Sequence, residues 1–404
     1  MRTNIKVLIR TEVRDARAGK SLRWRKARHN LVFDSTLTAL ALGTINFASI
    51  FETCKIGSSN AANSRPGNTV TFTQIGNTIT ASAPFFAGGD VGSLFKYGVG
   101  TGGAEQYISH FTDNQHVDVA GAGMAVVIAT PGTVWFVTQT ALTTPLVGLV
   151  GGCESRNYVV APGACSTTFP GGANSTQITM QRTFQFPVQA APYTVNEIGY
   201  SDDNANNGTC RGRLVLGAPD AIAITEYYVV QIQITYTVTP NVPTAVANVV
   251  TGFDSSGNVM FNFWDCRVVL GTGLDADYQS AYSSDMMDST PPKVALKTTA
   301  GGISNAHIAQ AQEAAQSVGY VSAAGSAYTN AILPVGVAQT TISFAFNTVG
   351  ETVYALYFVS NTGGGGVYCA AIFSLILTTP FVLPTGTFNG YLTYQRTITR
   401  TLSN

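Results

Sequence analysis

The chain reads as a mainly β protein, built of two tandem β-sandwich domains of jelly-roll type with a few short helices. Three observations predict this. Short alternating or β-branched runs are separated by clusters of Gly, Asn, Asp and Pro. Landmarks of the first half, such as Phe184, recur in the second at a nearly constant spacing, as at Phe344. Charged residues make up 11% of the 404 residues against 45% hydrophobic, a balance that favours sheets covered by other surfaces over free polar ones.

The strand signals run in order through Thr69 to Gln74, Thr133 to Gln139, Ile178 to Val188 and Tyr227 to Thr239. In the second half they are Thr341 to Phe346, Thr352 to Ser360, Cys369 to Leu377 and Phe388 to Ile398. Turn signals lie between them at 202–208, 254–257 and 361–366, each rich in residues that tolerate left-handed or open turns. Two helices interrupt the pattern. Ser35 is placed to cap a segment through Leu37, Leu40, Ala41 and Ile45, whose spacing gives one apolar face. An Ala- and Gln-rich stretch from Asn305 to Val318 forms the second, resting on a sheet or another subunit.

The repeat sets the domain plan. Phe184-Gln-Phe186 aligns with Phe344-Ala-Phe346, Cys210 with Cys369, and Thr237-Val-Thr239 with Thr397-Ile-Thr399, all at one offset to within a single position. Upstream, Phe33-Asp-Ser35 matches Phe253-Asp-Ser255 and Cys54-Lys-Ile56 matches Cys266-Arg-Val268, both at larger offsets. The expected plan is a basic arm or edge strand over 1–30, a first sandwich over 31–240 with an insertion near 141–175, and a second sandwich over 246–404. Pro240-Asn-Val-Pro-Thr244 is the linker, since a proline pair does not continue a central strand.

Composition excludes some classes. Few charged and many apolar residues argue against intrinsic disorder, and no run of about 18 apolar residues is present to form a transmembrane helix. Lys6-Val-Leu-Ile-Arg10 is too short for the apolar part of a signal peptide, so the chain is expected to stay in the cytoplasm where it is made. The six cysteines form no CxxC pair and read as buried thiols, with Cys153 and Cys165 as the one pair placed for a disulfide across a turn-rich loop.

The net charge of zero conceals an asymmetry. The segment 1–30 carries ten Lys or Arg against Glu12 and Asp15, a balance of +8, so the segment 31–404 carries −8. Arg14, Arg17, Lys20, Arg23, Trp24, Arg25, Lys26 and Arg28 are the candidate assembly arm. Such an arm docks on an acidic neighbouring subunit or forms a charged edge strand. Trp24 among Arg23, Arg25 and Lys26 also has the form of a stacking site for nucleic acid, a weaker reading for one cationic segment.

Other constellations point to structure. His110, Asp113, His116 and Asp118 lie close together, but His at i and i+6 fits neither a helical nor a tight-turn metal site, and a polar surface loop is expected. The stretch from Asp202 to Gly208 resembles a calcium loop, yet Asn207 and Arg213 stand where an EF-hand needs Gly and Glu. Gly98-Val-Gly-Thr-Gly-Gly103 lacks the Lys-Ser/Thr of a phosphate loop and reads as a turn. Glu197 has no second carboxylate in a matching motif and is expected to pair with Arg211 or Arg213. No catalytic residue, cofactor or metal is assigned.

The opening, Asp15-Ala-Arg-Ala-Gly-Lys20 followed by His29-Asn-Leu-Val-Phe-Asp34 and a short helix, resembles the start of bacteriophage tail fibre and tail-tip proteins. Lys55-Ile-Gly-Ser-Ser-Asn60, Tyr97-Gly-Val-Gly-Thr-Gly102, Thr183-Phe-Gln-Phe186, Thr194-Val-Asn-Glu-Ile-Gly-Tyr200, Arg213-Leu-Val-Leu216 and Thr235-Tyr-Thr-Val-Thr-Pro240 follow in the order found in that group. The resemblance covers about residues 10–240; in the second copy Tyr354-Ala-Leu-Tyr357 replaces the Asn-Glu-Ile-Gly motif. It implies a structural virion component, a fibre, tail-tip or baseplate protein without enzymatic activity. Its implied partners are copies of itself and other tail proteins, with neither nucleic acid nor membrane insertion expected. The alternatives are a host receptor-binding module using aromatics such as Tyr107, Tyr278 or Tyr282, and a capsid decoration protein.

Overall fold

The computed structural model describes residues 2–239 apart from 46, 48, 98–103, 121–130, 162–175 and 206. Beyond 250 it describes 251–253, 259–262, 266–270, 293–297, 335–349, 352–359, 371–382 and 385–402. Among the described residues strands predominate, with one α-helix. The first are β1 (Arg2–Asp15), β2 (Ser21–His29), β3 (Leu31–Val32) and, after helix α1 (Asp34–Leu42), β4 (Thr53–Gly57). Seven short strands follow, β5 (Ser64–Pro66), β6 (Phe72–Ile75), β7 (Thr78–Ala81), β8 (Leu94–Tyr97), β9 (Ala104–Phe111), β10 (His116–Ala120) and β11 (Gly132–Trp135). Five longer ones complete the first half: β12 (Pro145–Ala161), β13 (Thr176–Phe186), β14 (Tyr193–Ser201), β15 (Gly212–Ile222) and β16 (Glu226–Thr239). The second half contributes β17 (Thr251–Phe253), β18 (Val259–Asn262), β19 (Cys266–Leu270), β20 (Lys293–Lys297), β21 (Val337–Val349), β22 (Thr352–Val359), β23 (Ala371–Val382) and β24 (Thr385–Arg400).

Alternation decides which face of each strand is buried. Ile5, Val7, Ile9 and Val13 of β1 are buried while Lys6 and Arg10 are exposed. On the neighbouring strands Phe184, Phe186, Tyr228, Val230, Ile232, Ile234 and Tyr236 face the same core. Pairing runs from β1 through β16, β13, β12, β4, β14 and β15 to β3. It then returns to its start, because β3 continues back through Asn30 into β2, which pairs with β1, and the Asn30 N–H donates to the Val7 carbonyl at 3.1 Å. The strands therefore form a closed circuit. β12 turns the corner by pairing with β4 over its first residues and with β13 over the rest. The register slips between Pro145 and Val150, where Gly148 takes φ 88°, a conformation that favours glycine.

Helix α1 begins two residues earlier than the Ser35 cap predicts. Phe33 is the extended N-cap residue and its phenyl ring has no acceptor to make a side-chain cap bond, while Asp34 in the first turn is paired with Arg400 at 2.6 Å. The helix stops at Leu42, short of Ile45, where the left-handed Gly43 donates its N–H to the Leu40 carbonyl. Leu37, Leu40 and Ala41 form the buried face.

Of the segment near 141–175, expected as an insertion, Pro145–Ala161 forms β12 of the circuit, and 162–175 lie outside the described residues. The additional unit is the run between β4 and β12, which forms its own seven-stranded sheet, in the order β5-β11-β8-β9-β10-β7-β6. Its core gathers Phe72, Phe86, Phe95, Ile108, Val117 and Val134, with Phe72 edge-on to Phe85 and Phe95 at 4.9 Å each. Most of these strands are very short, too short for alternation to mark them as a unit. The sheet is seated on the circuit through Leu31, Phe33, Leu94, Val137, Leu142 and Cys210.

Pairing in the second half follows the offset of the repeat. Phe184 pairs with Val230 and Phe186 with Tyr228; at the matching positions Phe344 pairs with Gly390 and Phe346 with Phe388. The strand order β4-β14-β15-β3 recurs as β20-β22-β23-β19. A bulge recurs as well. The step from Val195 to Glu197 faces the longer step from Asp220 to Val215, and the step from Val353 to Ala355 faces that from Phe381 to Ile376. The alignment of Cys266 with Cys54 is corrected by this pairing, since Cys266 opens β19, which lies beside β23 as β3 lies beside β15.

β1 joins the two halves. It pairs antiparallel with β16 along its whole length, Arg2↔Thr239 to Asp15↔Glu226. Its first residues also pair in parallel with the end of β24, the counterpart of β16, from Arg2↔Thr397 to Ile5↔Arg400. Asn4 donates to Thr401 Oγ1 at 2.7 Å, and Arg396 and Arg400 donate to the Leu40 and Val32 carbonyls. The end of the predicted second domain is thus built into the first sheet. Asn305 to Val318 and the Pro240 to Thr244 linker lie outside the described residues.

Candidate functional site

The basic segment is not a free arm, because β1 is an interior strand and β2 is bonded to it. The turn between them is organised by Asp15, whose Oδ1 accepts the N–H groups of Arg17 and Ala18 at 2.8 and 2.7 Å. Those two donors hold the Asp15 carboxyl below the usual range. The Asp15 to Lys20 motif is therefore a structural turn.

Two register shifts sort the basic side chains onto opposite faces. Arg23, Arg25 and Arg28 lie opposite Val13, Thr11 and Ile9, all on the inward face of β1. The shift between Ile9 and Thr11 inserts an extra β2 residue, and this brings Arg28 to the side of Arg25. The three arginines then bridge β2 to β15, where there is no strand ladder. Arg23 donates to the Ala221 carbonyl at 2.6 Å and to Glu226 at 3.1 Å. Arg25 donates to Asp220 and the Pro219 carbonyl at 2.8 and 3.1 Å, and Arg28 to the Leu216 carbonyl at 2.6 Å. Asp220, which also accepts from Tyr228 at 2.9 Å, raises the Arg25 guanidinium above its ordinary value through their hydrogen bond.

Arg14 is also engaged within the chain, 2.8 Å from Glu12, and that bond lowers the Glu12 carboxyl. What remains is the outward set. Trp24 is 62% exposed, with the Arg10 guanidinium 5.2 Å from its ring. Arg17, Lys20 and Lys26 are exposed, and their charged groups hydrogen-bond to no described residue. Leu22 and Ile224 are exposed as well. They are brought to one end of the circuit by a bond from the Ala16 N–H to the Thr225 carbonyl.

The other sequence candidates are structural. His116 binds Asp113 at 2.8 Å and His110 stands 3.6 Å from Asp118, two separate exposed pairs on one hairpin. Among the described residues, no three His, Cys, Asp or Glu are grouped to hold a metal. In the calcium-like loop the cation is a lysine. Buried Lys55 donates to Asp203 at 2.6 Å, Asn207 at 3.0 Å and the Thr209 carbonyl at 2.9 Å, beside a two-bond pairing of Arg211 with Asp202.

Glu197 pairs with Arg213 at 2.6 Å, both fully buried. Glu197 also accepts the N–H groups of Thr143 and Thr144, and Arg213 donates to Asn63 Oδ1, so one ion pair holds both ends of the inserted sheet. Tyr107, expected as an exposed contact aromatic, is half-buried. It donates to Asp34 at 3.2 Å and lies against Arg400, while burial pushes its hydroxyl up to about 12. Cys54 and Cys210 are buried free thiols, and burial pushes Cys210 up to about 12. Gly98 to Gly103, Cys165, Tyr278 and Tyr282 lie outside the described residues.

Sequence reading missed Lys55, Asp220 and Arg400 as anchors, and with them Arg182, which donates to the Phe51 carbonyl at 3.0 Å and to Glu52 at 2.8 Å. A signal existed for Lys55, a lone cation between Cys54 and Ile56 on a strand with an otherwise apolar buried run. Among the described residues no helix is long and apolar enough to cross a membrane. The chain matches no protein-family profile and no curated protein.

Proposed function

We propose that the chain is a structural component of a bacteriophage virion, a tail protein of the fibre, tail-tip or baseplate kind. It acts by contacts with its own copies and with neighbouring tail subunits, not by turnover, and is built of two β-sandwich repeats of jelly-roll type. One observation carries this reading. Four of the eight segments that resemble tail proteins, His29–Asp34, Lys55–Asn60, Thr194–Tyr200 and Arg213–Leu216, contribute the strands β3, β4, β14 and β15, which lie side by side. There Leu31 pairs with Arg213, Ile198 with Leu214, and Ile198 also with Ile56. The shared letters thus specify a buried scaffold, which is what a resemblance among structural proteins would preserve.

The test is the particle itself. Mass spectrometry of density-purified virions should find the chain at a fixed multiple of the tail copy number. A cryo-electron microscopy map should accommodate the strand circuit in tail density. Purified particles lacking the chain would end this reading.

A further inference from the structure

We propose that Lys55 and Asn207 join in an intramolecular isopeptide bond, with Asp203 moving the protons, an inference that does not rest on the assembly reading above. Lys55 lies on β4 opposite Gly199 of β14 and is 2% exposed. Its Nζ donates to three oxygens of the segment that joins β14 to β15: Asp203 Oδ1 at 2.6 Å, Asn207 Oδ1 at 3.0 Å and the Thr209 carbonyl at 2.9 Å. The Thr209 N–H also donates to Asn207 Oδ1, at 3.0 Å. Two donors converging on one atom identify it as the carboxamide oxygen. Given that 3.0 Å contact from Nζ and a C=O bond of about 1.2 Å, Nζ is no more than about 4.2 Å from the Asn207 Cγ. A near-attack geometry needs roughly 3–3.5 Å, a small shift of one side chain away.

The groups around Nζ meet the needs of amide exchange. Asp203 takes a proton from Nζ along their 2.6 Å bond, which leaves an amine lone pair to attack Cγ. Burial of Lys55 strips that nitrogen of the water that would otherwise shield it. As the new C–N bond forms, negative charge collects on Oδ1, where the Thr209 N–H already points. Asp203 then passes its proton to Nδ2 and takes a second one from Nζ. The Cγ–Nδ2 bond breaks, the C=O is restored, and ammonia leaves with the proton that Asp203 holds. Its way out is open, because Asn207 is exposed. A lysine ammonium and a carboxamide thus give a secondary amide and an ammonium ion, with nothing oxidised or reduced. The one remaining N–H of the linked nitrogen keeps an acceptor in the Thr209 carbonyl. The link joins positions 152 apart in sequence and adds a covalent tie to the strand circuit at β4.

Intact mass and tryptic peptide mapping of the purified full chain, followed over time after synthesis, test this. The wild-type chain should become about 17 Da lighter than its sequence, the mass of one ammonia. Trypsin should fail to cut after Lys55 and should release a branched peptide that carries the Asn207 segment. Asn207→Ala and Lys55→Arg should keep the full sequence mass. Asn207→Ala changes an exposed side chain, so its circular dichroism should match wild type and separate lost chemistry from lost folding. Asp203→Asn should link about 100-fold more slowly than wild type. A folded wild-type chain that stays at its full sequence mass would overturn the proposal. An equal mass loss that persists in Lys55→Arg would overturn it too, because Asn207 precedes Gly208 and a succinimide closed by the Gly208 nitrogen also expels one ammonia. Equal rates in Asp203→Asn and wild type would overturn the proton transfer assigned to Asp203.

Discussion

Glu197 and Arg213 meet as a fully buried ion pair, 2.6 Å apart, on adjacent strands β14 and β15. The pair reaches Thr143 and Thr144 at one end of the inserted sheet and Asn63 at the other. A side chain on Gly57 would overlap the Glu197 carboxylate, so the strand beneath keeps a space for it.

Glu197→Gln or Arg213→Met should each lower stability by about 3–5 kcal/mol, because either change leaves an uncompensated buried group. Urea midpoints measure the loss. Limited proteolysis should show the stems at 58–63 and 136–144 opening first. A loss under about 1 kcal/mol would mean that the pair is dispensable.

His29 predicts a pH dependence. Burial, with the Lys6 charge beside it, holds the imidazole below its ordinary value of 6.5. The unfolded chain then binds the proton more readily, so this contribution is fully present above 6.5 and is lost as pH falls through the lower folded value. Stability of His29→Gln should fall less steeply than wild type between about pH 7 and pH 5. Parallel curves would show that His29 does not contribute.

The three inward arginines predict a local effect. Replacing Arg23, Arg25 and Arg28 together by Ala should speed hydrogen exchange of the β2 amides roughly tenfold, with β16 and β13 little changed. Uniform acceleration across the sheet would mean that the seam opens only with the whole circuit.

Gly336 precedes β21 with φ 78°, and a Cβ there would overlap the Ile398 carbonyl oxygen. The two backbones are already clasped, because the Ile398 N–H donates to the Gly336 carbonyl at 2.7 Å. Gly336→Ala should cost at least about 1 kcal/mol and loosen the parallel pairing of β24 with β1. Exchange at Thr397 to Thr401 measures it, and unchanged protection there would refute the steric argument.

Strand content was legible because alternation is a local property, and the offset at Phe184 and Phe344 extends to the pairing partners of both residues. The role of the basic N-terminal segment was not. Ile5, Val7, Ile9 and Val13 alternate with polar residues as in any half-buried strand, but the charge count drew attention to the cations. Whether Arg25 meets a neighbour or the distant Asp220 of its own chain depends on a bulge that no spacing reveals. The inserted sheet was hidden for the same reason that it is stable, since its Phe72, Phe86 and Phe95 core is assembled from strands too short to declare a period.

Placing β1 between β16 and β24 has a consequence for biosynthesis. Once made, β1 must wait for its main partner, which begins only at Glu226, for roughly 10–45 s at ordinary translation speeds of about 5–20 residues per second. The parallel partner at Thr397 to Arg400 follows after roughly 20–80 s. Through that interval the nascent hairpin displays Ile5, Val7, Ile9 and Val13 uncovered, an adhesive strip on every polysome. Crowding of nascent chains, and the chaperones that separate them, therefore weigh on the yield of this protein before its finished fold can.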